Sequence, residues 1–295
     1  MSPLDTRNSM LTPKRDQSNG HLRPTDFNIL IVGVIRNGET SLYSSFKVLE
    51  ESFYGFKEIQ WLFIESDSDD NTLTILEQLA DQVGNFRFIS AGLLRDEIPQ
   101  RTARIAYCRN IYINEILTNP IYCNVDYVAV VDLDGINSDL TSQAVQSCWS
   151  RTDWDVCTAN QKHAYYDIWA LRHPIWSPND CWEQHSFMSR FFNANFSLVS
   201  CVISKMIEIP ENSGWIEVDS AFGGLAIYRR EVIFGQNYVG LNNAGTAICE
   251  HISFHKEIKN HSKRIFINPK LINGGLNEHS IRYAQIFQSN KIVRS

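Results

Sequence analysis

Two aspartates follow a short apolar run in the middle of the chain. The segment Tyr127-Val-Ala-Val-Val-Asp-Leu-Asp134 is too short for a typical helix and predicts a strand that is buried on both faces. Asp132 and Asp134 should then emerge at its C-terminal end, where open α/β sheets bind ligands. Both carboxylates could approach one hard cation, which prefers oxygen ligands and leaves room for a diphosphate. The alternative is a polar turn with capping aspartates, because Asp is common in turns.

A second group of candidate residues lies near the C-terminus. The segment Ala247-Ile-Cys-Glu-His-Ile-Ser-Phe-His255 brings a carboxylate and two imidazoles close together in sequence. His251 and His255 are spaced to share one face of a helix. Such a pair is usually structural, but the proposed cation site makes both histidines candidate metal ligands. Imidazole would favour Mn2+ over Mg2+.

The stretch from Trp149 to Trp182 is crowded with aromatic residues that alternate with Asp, His, Arg and Asn. Such clusters either form core or stack against sugar rings and bases, and both interpretations stay open. A small-residue turn that enters an apolar strand follows at Val218-Asp-Ser-Ala-Phe-Gly-Gly-Leu-Ala-Ile-Tyr228.

The elements that position these residues follow from alternating patterns in the first half of the chain. We predict strands over 28–35, 60–64, 86–89 and 127–132, a turn at 36–39, an acidic loop at 65–71, and helices over 41–54, 72–83 and 101–118. Strands alternating with helices predict a mostly parallel central sheet with helices on both faces, in a single α/β domain.

Composition narrows the functional classes. The chain has 295 residues, of which 43% are hydrophobic and 12% aromatic, so it can fill a substantial core. A net charge of -6 argues against a general phosphate-backbone binder, and we find no nucleic-acid motif. The seven cysteines lack CxxC spacing, and their odd number favours a reduced compartment, so we expect a cytoplasmic protein. The sequence has no apolar run of membrane-spanning length, although peripheral association with a membrane stays open.

The order of the motifs resembles that of the nucleotide-sugar glycosyltransferases of the GT-A fold. The resemblance covers residues 27–260 and rests on Val32-Gly-Val-Ile-Arg-Asn37, the acidic loop, Ala106-Tyr-Cys-Arg-Asn110, Asp132-Leu-Asp134, Phe222-Gly-Gly224 and Cys249-Glu-His251. Within that superfamily, Tyr165-Tyr-Asp-Ile-Trp-Ala-Leu-Arg172 together with Cys249-Glu-His251 is similar to the fungal capsule-associated mannosyltransferase group.

The resemblance implies an organisation for the chain. A flexible polar leader at 1–26 precedes a GT-A domain at 27–260, with a nucleotide-binding half at 27–135 and an acceptor half at 136–260. Residues 261–295 are expected to form a C-terminal extension that packs on the domain.

The resemblance also implies a metal-dependent transfer with Mn2+ or Mg2+ as cofactor. A divalent metal would stabilise the charge that develops on the leaving diphosphate. Asp134 is the first expected ligand, and Asp132 would contact the ribose or the metal through water. His255 or His251 would complete the site.

Further roles follow for the donor and acceptor sides. The nucleoside-diphosphate sugar is expected to contact Val34, Arg36 and Glu65, with Asp67 as a substitute, and Arg109 and Asn110 would seat it. The acidic loop has an alternative interpretation as a solvated helix cap. Glu250 stands where inverting members carry a general base, and Asp167 is a second catalytic candidate. On the sugar and acceptor side, the expected residues are Tyr166, Trp169, Arg172, Gly223 and Gly224.

Several alternatives stay open at the level of function. The stereochemistry is undecided, because the mannosyltransferase-like signature favours retention whereas the position of Glu250 permits inversion. The expected acceptor is a glycan or another hydroxyl compound. The chain could instead be a sugar nucleotidyltransferase, although Arg36-Asn-Gly-Glu39 is poor in glycine for that class, or a non-catalytic carbohydrate-binding relative of the same fold.

Overall fold

The computed structural model describes residues 23–276, together with 280, 281 and 285. The polar leader, except for 23–26, therefore lies outside the described residues, as do 277–279, 282–284 and 286–295 of the predicted C-terminal extension. In the part of the chain that is described, no helix combines the length and apolar character needed to cross a membrane.

An eight-stranded mixed sheet forms the centre of the molecule, in the order β3-β2-β1-β4-β7-β5-β8-β6. Strands β1, β2, β3 and β4 pair in parallel, as do β5 and β8, whereas β7 runs antiparallel to both β4 and β5, and β6 runs antiparallel to β8. The strands are β1 Asn28–Ile35, β2 Glu58–Glu65, β3 Phe86–Ser90, β4 Tyr127–Asp132, β5 Val156–Gln161, β6 Ile216–Val218, β7 Leu225–Arg229 and β8 Ile265–Gly274.

Helices cover both faces of this sheet. They are α1 Leu42–Ser52, α2 Thr72–Gln82, α3 Arg101–Thr118, α4 Ser142–Gln146, α5 Cys181–Met188, α6 Ala194–Cys201 and α7 Glu250–Asn260. Short 3-10 turns occupy Pro24–Asp26, Pro120–Tyr122, Ser147–Ser150, Ile203–Lys205 and Arg230–Ile233. The predicted α/β class, the mostly parallel sheet and its two covered faces are confirmed.

The hydrophobic core has two layers because successive residues of a strand point to opposite faces. Ile29 and Ile31 of β1 pack in the layer that includes α1 and α2. Leu30 and Val32 belong to the opposite layer, which includes α3 and α7. Burial on both sides explains why the central strands are continuous apolar runs.

The boundary expected at residue 260 is wrong. Strand β8 lies between β5 and β6 in the central sheet, so the domain continues at least to Gly274 rather than ending before an extension. The strand was missed because Asn268, Pro269 and Lys270 interrupt its apolar pattern, and Pro is rare in central strands. Its pairing with β5 shows matching irregularities, with register shifts beyond Thr158.

Candidate functional site

A cleft of about 1000 Å³ opens at the C-terminal ends of the parallel strands. Its lining includes Ile35 at the end of β1, Ser66 directly after β2, and Asp132 at the end of β4. The acidic pair therefore lies at the sheet edge where the sequence predicted a ligand site. Asp134 is exposed, and Asp132 is partly exposed where it lines the cleft.

A buried arginine connects two acidic candidates. Arg109 of α3 donates from Nε to Glu250 Oε1 at 3.0 Å and from Nη2 to Asp132 Oδ1 at 3.4 Å. Its guanidinium lies 5.3 Å from the ring centre of Phe222 and 5.6 Å from that of Tyr238. Arg109 thus compensates the charges of both carboxylates and fixes their separation, rather than reaching out as a free cation.

Asp132 experiences opposing electrostatic effects. Burial raises the pKa of its carboxyl to about 7, against the effect of Arg109 and with reinforcement from Asp134, Glu250 and Asp167. The side chain is nevertheless 31% exposed, so solvent in the cleft moderates this shift. The charges that act on Asp132 show that Asp134, Glu250 and Asp167 all lie near it at the cleft.

Tyr166 lies near the same group of acidic side chains. Burial raises the pKa of its phenol, and the charges of Asp167, Asp132 and Asp134 raise it further. The phenol therefore stays protonated and can act as a hydrogen-bond donor beside the acids. Asp167 is held in place at the cleft, since it accepts from Gly223 N at 2.9 Å and from Ala170 N at 3.3 Å.

The turn at Gly223 and Gly224 is hydrogen-bonded to the end of β4. Both glycines have positive φ, 71° and 87°, in the left-handed region that disfavours other residues. Gly224 O accepts from Asp132 N at 2.9 Å. Buried amides brace this junction: Asn137 Nδ2 donates to Asp132 O at 2.8 Å, and Asn273 Nδ2 donates to Gly223 O at 2.7 Å. The glycines therefore position the site and do not line it.

The predicted metal site is only partly assembled by side chains. Among the described residues, no three His, Cys, Asp or Glu side chains come together as a group that could hold a metal ion. Asp132 and Asp134 remain as oxygen donors at the cleft, and this donor type fits a hard divalent cation that shares its coordination with a diphosphate. Mn2+ or Mg2+ would be held by these two aspartates and the bound substrate.

The two histidines of α7 differ from the prediction. His255 is wrong as a metal ligand, because it is fully buried and both ring nitrogens are engaged, Nδ1 with Ser220 Oγ at 2.9 Å and Nε2 with Tyr228 Oη at 2.8 Å. His251 does line the cleft, with its ring stacked on Phe222 at 3.9 Å between centres. Burial lowers the pKa of both imidazoles, with Arg109 adding to the effect, so both are neutral.

On the donor side, Asp67 rather than Glu65 lines the cleft. Asp67 adopts a positive φ of 61°, and its carboxylate lies 3.4 Å from Arg104 Nε and 3.5 Å from Arg95 Nε. Arg36 Nε donates to Asp67 O at 3.3 Å. This carboxylate therefore organises a group of arginines at the ends of β1 and β2.

Glu65 has a structural role in the same loop. Its buried carboxylate accepts from Ser68 N at 2.9 Å and from Ser90 Oγ at 2.5 Å. These contacts hold the loop together and engage the carboxylate that was expected to contact the donor, and the burial of Glu65 also differs from the alternative interpretation of a solvated helix cap. Val34 and Arg36 do line the cleft.

Two other predicted residues face away from the cleft. Asn110 pairs its amide with the backbone of Tyr238, donating at 2.9 Å and accepting at 2.8 Å. Arg172 donates to Trp169 O and Leu171 O and pairs with Asp180 at 2.8 Å. Neither lines the cleft, so their predicted substrate contacts have no support from the geometry and stay predictions. Trp169 and Tyr166 do line it.

Sequence reasoning missed most of the α3 stripe. Arg101, Arg104, Ile105, Cys108 and Arg109 all line the cleft. Their spacing of i, i+3, i+4, i+7 and i+8 marks one helical face, and the arginines on it were the available signal. Also missed were the apolar residues contributed by α5, α6 and the turn after them, which are Trp182, Leu198, Val202, Ile203 and Met206.

No protein-family model and no curated protein matches the chain. Solved structures do match in fold. The mannosyltransferase PcManGT from Pyrobaculum calidifontis, in complex with GDP-Man and Mn2+, aligns over 90% of this chain and 64% of its own, at 12% identity and a TM-score of 0.50. The chain thus has the GT-A fold, as the resemblance predicted.

Two further structures align with lower TM-scores. S. aureus TarS 1-349 in complex with UDP-GlcNAc covers 85% of this chain and 60% of its own, at 13% identity and a TM-score of 0.48. Glucosyl-3-phosphoglycerate synthase from Mycobacterium tuberculosis in complex with UDP covers 86% and 72%, at 12% identity and 0.40. The chain therefore spans less than two thirds of PcManGT and of TarS 1-349. The narrower likeness to the fungal capsule-associated group stays a prediction.

Proposed function

We propose that this chain is a glycosyltransferase that moves a sugar from a nucleoside-diphosphate sugar to a hydroxyl group of a glycan or another acceptor. One observation carries the proposal. On a GT-A fold, Asp132 and Asp134 meet a cleft of about 1000 Å³ at the strand ends, opposite the arginine-bearing face of α3. Binding of a sugar diphosphate requires two features: carboxylates that can hold a cation, and arginine side chains that can contact the phosphates.

The reaction breaks the bond between the anomeric carbon and the diphosphate oxygen. The diphosphate leaves with the electron pair, the acceptor oxygen forms the new bond to the anomeric carbon, and the hydroxyl proton passes to a base. A divalent cation, when bound, would neutralise charge on the leaving group. Arg101 is placed to attract the phosphates, because it is exposed and lines the cleft on α3, whereas Arg104 beside it is paired with Asp67.

Glu250 is the candidate that would take the acceptor proton in an inverting reaction. It is the first residue of α7 and lines the cleft, but Arg109 donates to its Oε1 at 3.0 Å. This ion pair fixes the Glu250 carboxylate beside Arg109 in the cleft lining. In a retaining reaction Glu250 would position Arg109, and Asp167, which also lines the cleft, would be the remaining catalytic candidate.

Mn2+ is the first cation to test, since PcManGT was solved with GDP-Man and Mn2+ and two carboxylates are the side-chain donors found here. Mg2+ shares the preference for oxygen ligands. We leave the donor open between hexosyl and pentosyl nucleotides. A cytoplasmic location stays our expectation, and it accords with the seven cysteines, all of which are free thiols within the described residues.

The decisive experiment is a panel of UDP- and GDP-sugars, screened for release of nucleoside diphosphate and for a rise in melting temperature, each with Mn2+, Mg2+ or EDTA. Ligand binding raises apparent stability by mass action. We expect one donor to stabilise the wild type and to be hydrolysed slowly, in a metal-dependent way. The matched control for Asp134→Ala in this panel is Asp139→Ala, which removes an exposed carboxylate close to the acidic pair. Failure of every donor in both assays would contradict the proposal.

Two additions to the panel separate the rival functions: sugar phosphates offered with nucleoside triphosphates, and saccharides offered alone. A sugar nucleotidyltransferase would consume a sugar phosphate and a nucleoside triphosphate and release pyrophosphate. A non-catalytic relative would be stabilised by saccharides without any turnover. We favour neither, because the segment after β1 lacks the glycine-rich basic loop of the first class and the acidic pair is intact.

A further inference from the structure

The cleft has one wall without charge. This apolar wall consists of Trp182, Leu198, Val202, Ile203 and Met206, contributed by α5, α6 and the 3-10 turn Ile203–Lys205 with its flanks. Between 168 and 206, a segment that the structure describes throughout, no charged side chain lines the cleft. Sugar hydroxyls pressed against such a surface would lose hydrogen bonds to water without replacement. The wall is better suited to hydrocarbon.

The outer side of the same helical pair is also apolar. Phe187, Phe191, Phe192 and Phe196 form an aromatic tip where α5 turns into α6, and each is between 50% and 69% exposed. Their rings pair, Phe187 with Phe191 at 5.5 Å and Phe192 with Phe196 at 5.1 Å between centres. Clustered exposed aromatics of this kind mark an interaction surface.

Trp182 is the member of the apolar wall that reaches solvent. It lines the cleft, it is 44% exposed, and it lies on the same helix as Phe187 of the aromatic tip. A hydrocarbon chain held along the apolar wall would therefore leave the cleft at Trp182, on the helical pair that carries the tip, while a polar group at its end lies near the acids.

The local charge matches an anionic lipid surface. From Cys181 at the start of α5 to Met206, Glu183 is the one acid and Arg190 and Lys205 are the two bases, so this segment carries a net charge of +1 in a chain whose net charge is -6. Arg190 lies close to the tip, with its guanidinium 5.9 Å from the ring centre of Phe187. Exposed aromatics flanked by basic residues are typical of elements that lie in the interface of a bilayer.

We propose that the acceptor is a lipid-type amphiphile in a membrane surface, and that the α5–α6 pair docks on that surface to receive it. The inference rests on the proposed glycosyl transfer. The hydroxyl of the lipid headgroup replaces the diphosphate on the anomeric carbon, with the bonds and the proton accounted for as above. Its hydrocarbon chain lies along the apolar wall and leaves past the aromatic tip.

The first test compares acceptors that differ only in hydrocarbon. Methyl and octyl glycosides of mannose, glucose and galactose are offered with the donor identified in the nucleotide-sugar screen. We expect kcat/KM to be at least about tenfold higher for the octyl member of the accepted pair, since each buried CH2 contributes favourably. Leu198→Gln should reduce this preference, whereas Leu73→Gln, a partly exposed leucine on α2, should leave it unchanged.

The second test does not depend on turnover. Flotation is measured with vesicles of phosphatidylcholine alone and with about one third phosphatidylserine. We expect the wild type to float with the anionic vesicles, and the double variant Phe191→Ser/Phe192→Ser to bind at least about tenfold more weakly. Phe234→Ser, which removes a similarly exposed phenylalanine elsewhere, should float like the wild type.

The outcomes separate this inference from the proposed function. Equal use of methyl and octyl glycosides would overturn the lipid acceptor while leaving glycosyl transfer intact, and would favour a free sugar stacked on Trp182. A wild type that floats with neither kind of vesicle would overturn membrane docking, whichever glycosides are accepted. If no donor is used but flotation depends on the aromatic tip, the proposed function fails and the docking surface stands.

Discussion

The two walls of the cleft are built in different ways. The charged wall stands on the ends of β1, β2 and β4 and on α3, and its side chains are cross-linked by ion pairs. The apolar wall is carried by two helices of eight residues each and by the 3-10 turn that follows them, outside the sheet. The first has a fixed arrangement of charge, whereas the second offers only shape and apolar surface.

The charged wall needs a fixed geometry, whereas the apolar wall can accommodate acceptors of different shape. Electrostatic stabilisation of a leaving group requires preorganised charges, and the buried link from Asp132 through Arg109 to Glu250 supplies such order. An apolar acceptor chain needs no directional contacts. The apolar wall is held at its start by Asp180, which caps α5 and accepts from Trp169 Nε1 at 3.1 Å.

The two largest expected effects are both at the charged wall, at Asp134 and at Glu250. Asp134→Ala should lower turnover by about 10²–10³-fold or more, because it removes an oxygen donor where charge develops on the leaving group. The fold should persist, since the residue is exposed and lies among like charges. Steady-state rates and melting temperatures check this against Asp139→Ala. Full activity of Asp134→Ala in EDTA would contradict metal-dependent transfer.

Glu250→Gln tests whether the buried ion pair also does chemistry. If Glu250 is the base, turnover should fall by about 10²–10⁴-fold while donor affinity is retained. Some stability should be lost in either case, because Arg109 loses a charged partner. Glu257→Gln, an exposed carboxylate on the same helix, is the control.

The anomeric configuration of the product, determined by NMR for the wild type, gives an independent check on Glu250. Inversion would support a base at this position, and retention would make Glu250 a positioning residue. Turnover close to that of the wild type in Glu250→Gln would remove it from the reaction whichever configuration is found.

A smaller effect is expected where the two walls meet. Trp169→Ala should lower kcat/KM about tenfold, the effect of roughly 1.4 kcal/mol of lost ring contact with substrate. Trp215→Ala, a partly buried tryptophan outside this cleft, should leave kcat/KM unchanged. If Trp169→Ala melts early but its folded fraction works normally, Trp169 only supports Asp180 and the interpretation as core is right.

Sequence patterns were most informative where one physical rule decided the structure. Strand β1 and helix α3 have the predicted bounds, since a strand buried on both faces and a long helix with a stripe of apolar residues are strong signals. The same holds for Asp132 and Asp134, whose position at a strand end follows from the apolar run before them.

The second half depends on contacts that no local pattern reveals. Strand β5 includes the buried polar residues Thr158, Asn160 and Gln161, whose side chains donate to backbone carbonyls of Phe266, Ile209 and Gly223, all distant in sequence. Helices α5 and α6 have no amphipathic stripe, so their role as a wall could not be read from spacing. His251 and His255 share a helical face as expected, yet the spacing cannot tell which of them meets the cleft.

The smallest expected effect concerns His255 and reports on the core behind the charged wall. Burial, with the charge of Arg109 adding to it, lowers the pKa of His255 to about 3, whereas an unfolded chain would have its ordinary value of 6.5. Between about pH 3 and pH 6.5, His255 therefore binds a proton in the unfolded state but not in the folded state. The free energy of unfolding should therefore fall as the pH drops below 6.5, by up to about 1.4 kcal/mol per pH unit from this residue.

His255→Gln keeps hydrogen-bonding groups near Ser220 and Tyr228 but cannot titrate. We expect it to be less stable at neutral pH and to show a shallower decline in urea-derived stability from pH 7 to pH 5. His261→Gln removes an exposed imidazole at the end of the same helix and should retain the slope of the wild type. Equal slopes in all three proteins would mean that His255 is protonated in the folded state, which the two short contacts of its ring and its complete burial oppose. A shallower slope in His255→Gln alone would establish that His255 of α7 is neutral in the folded core.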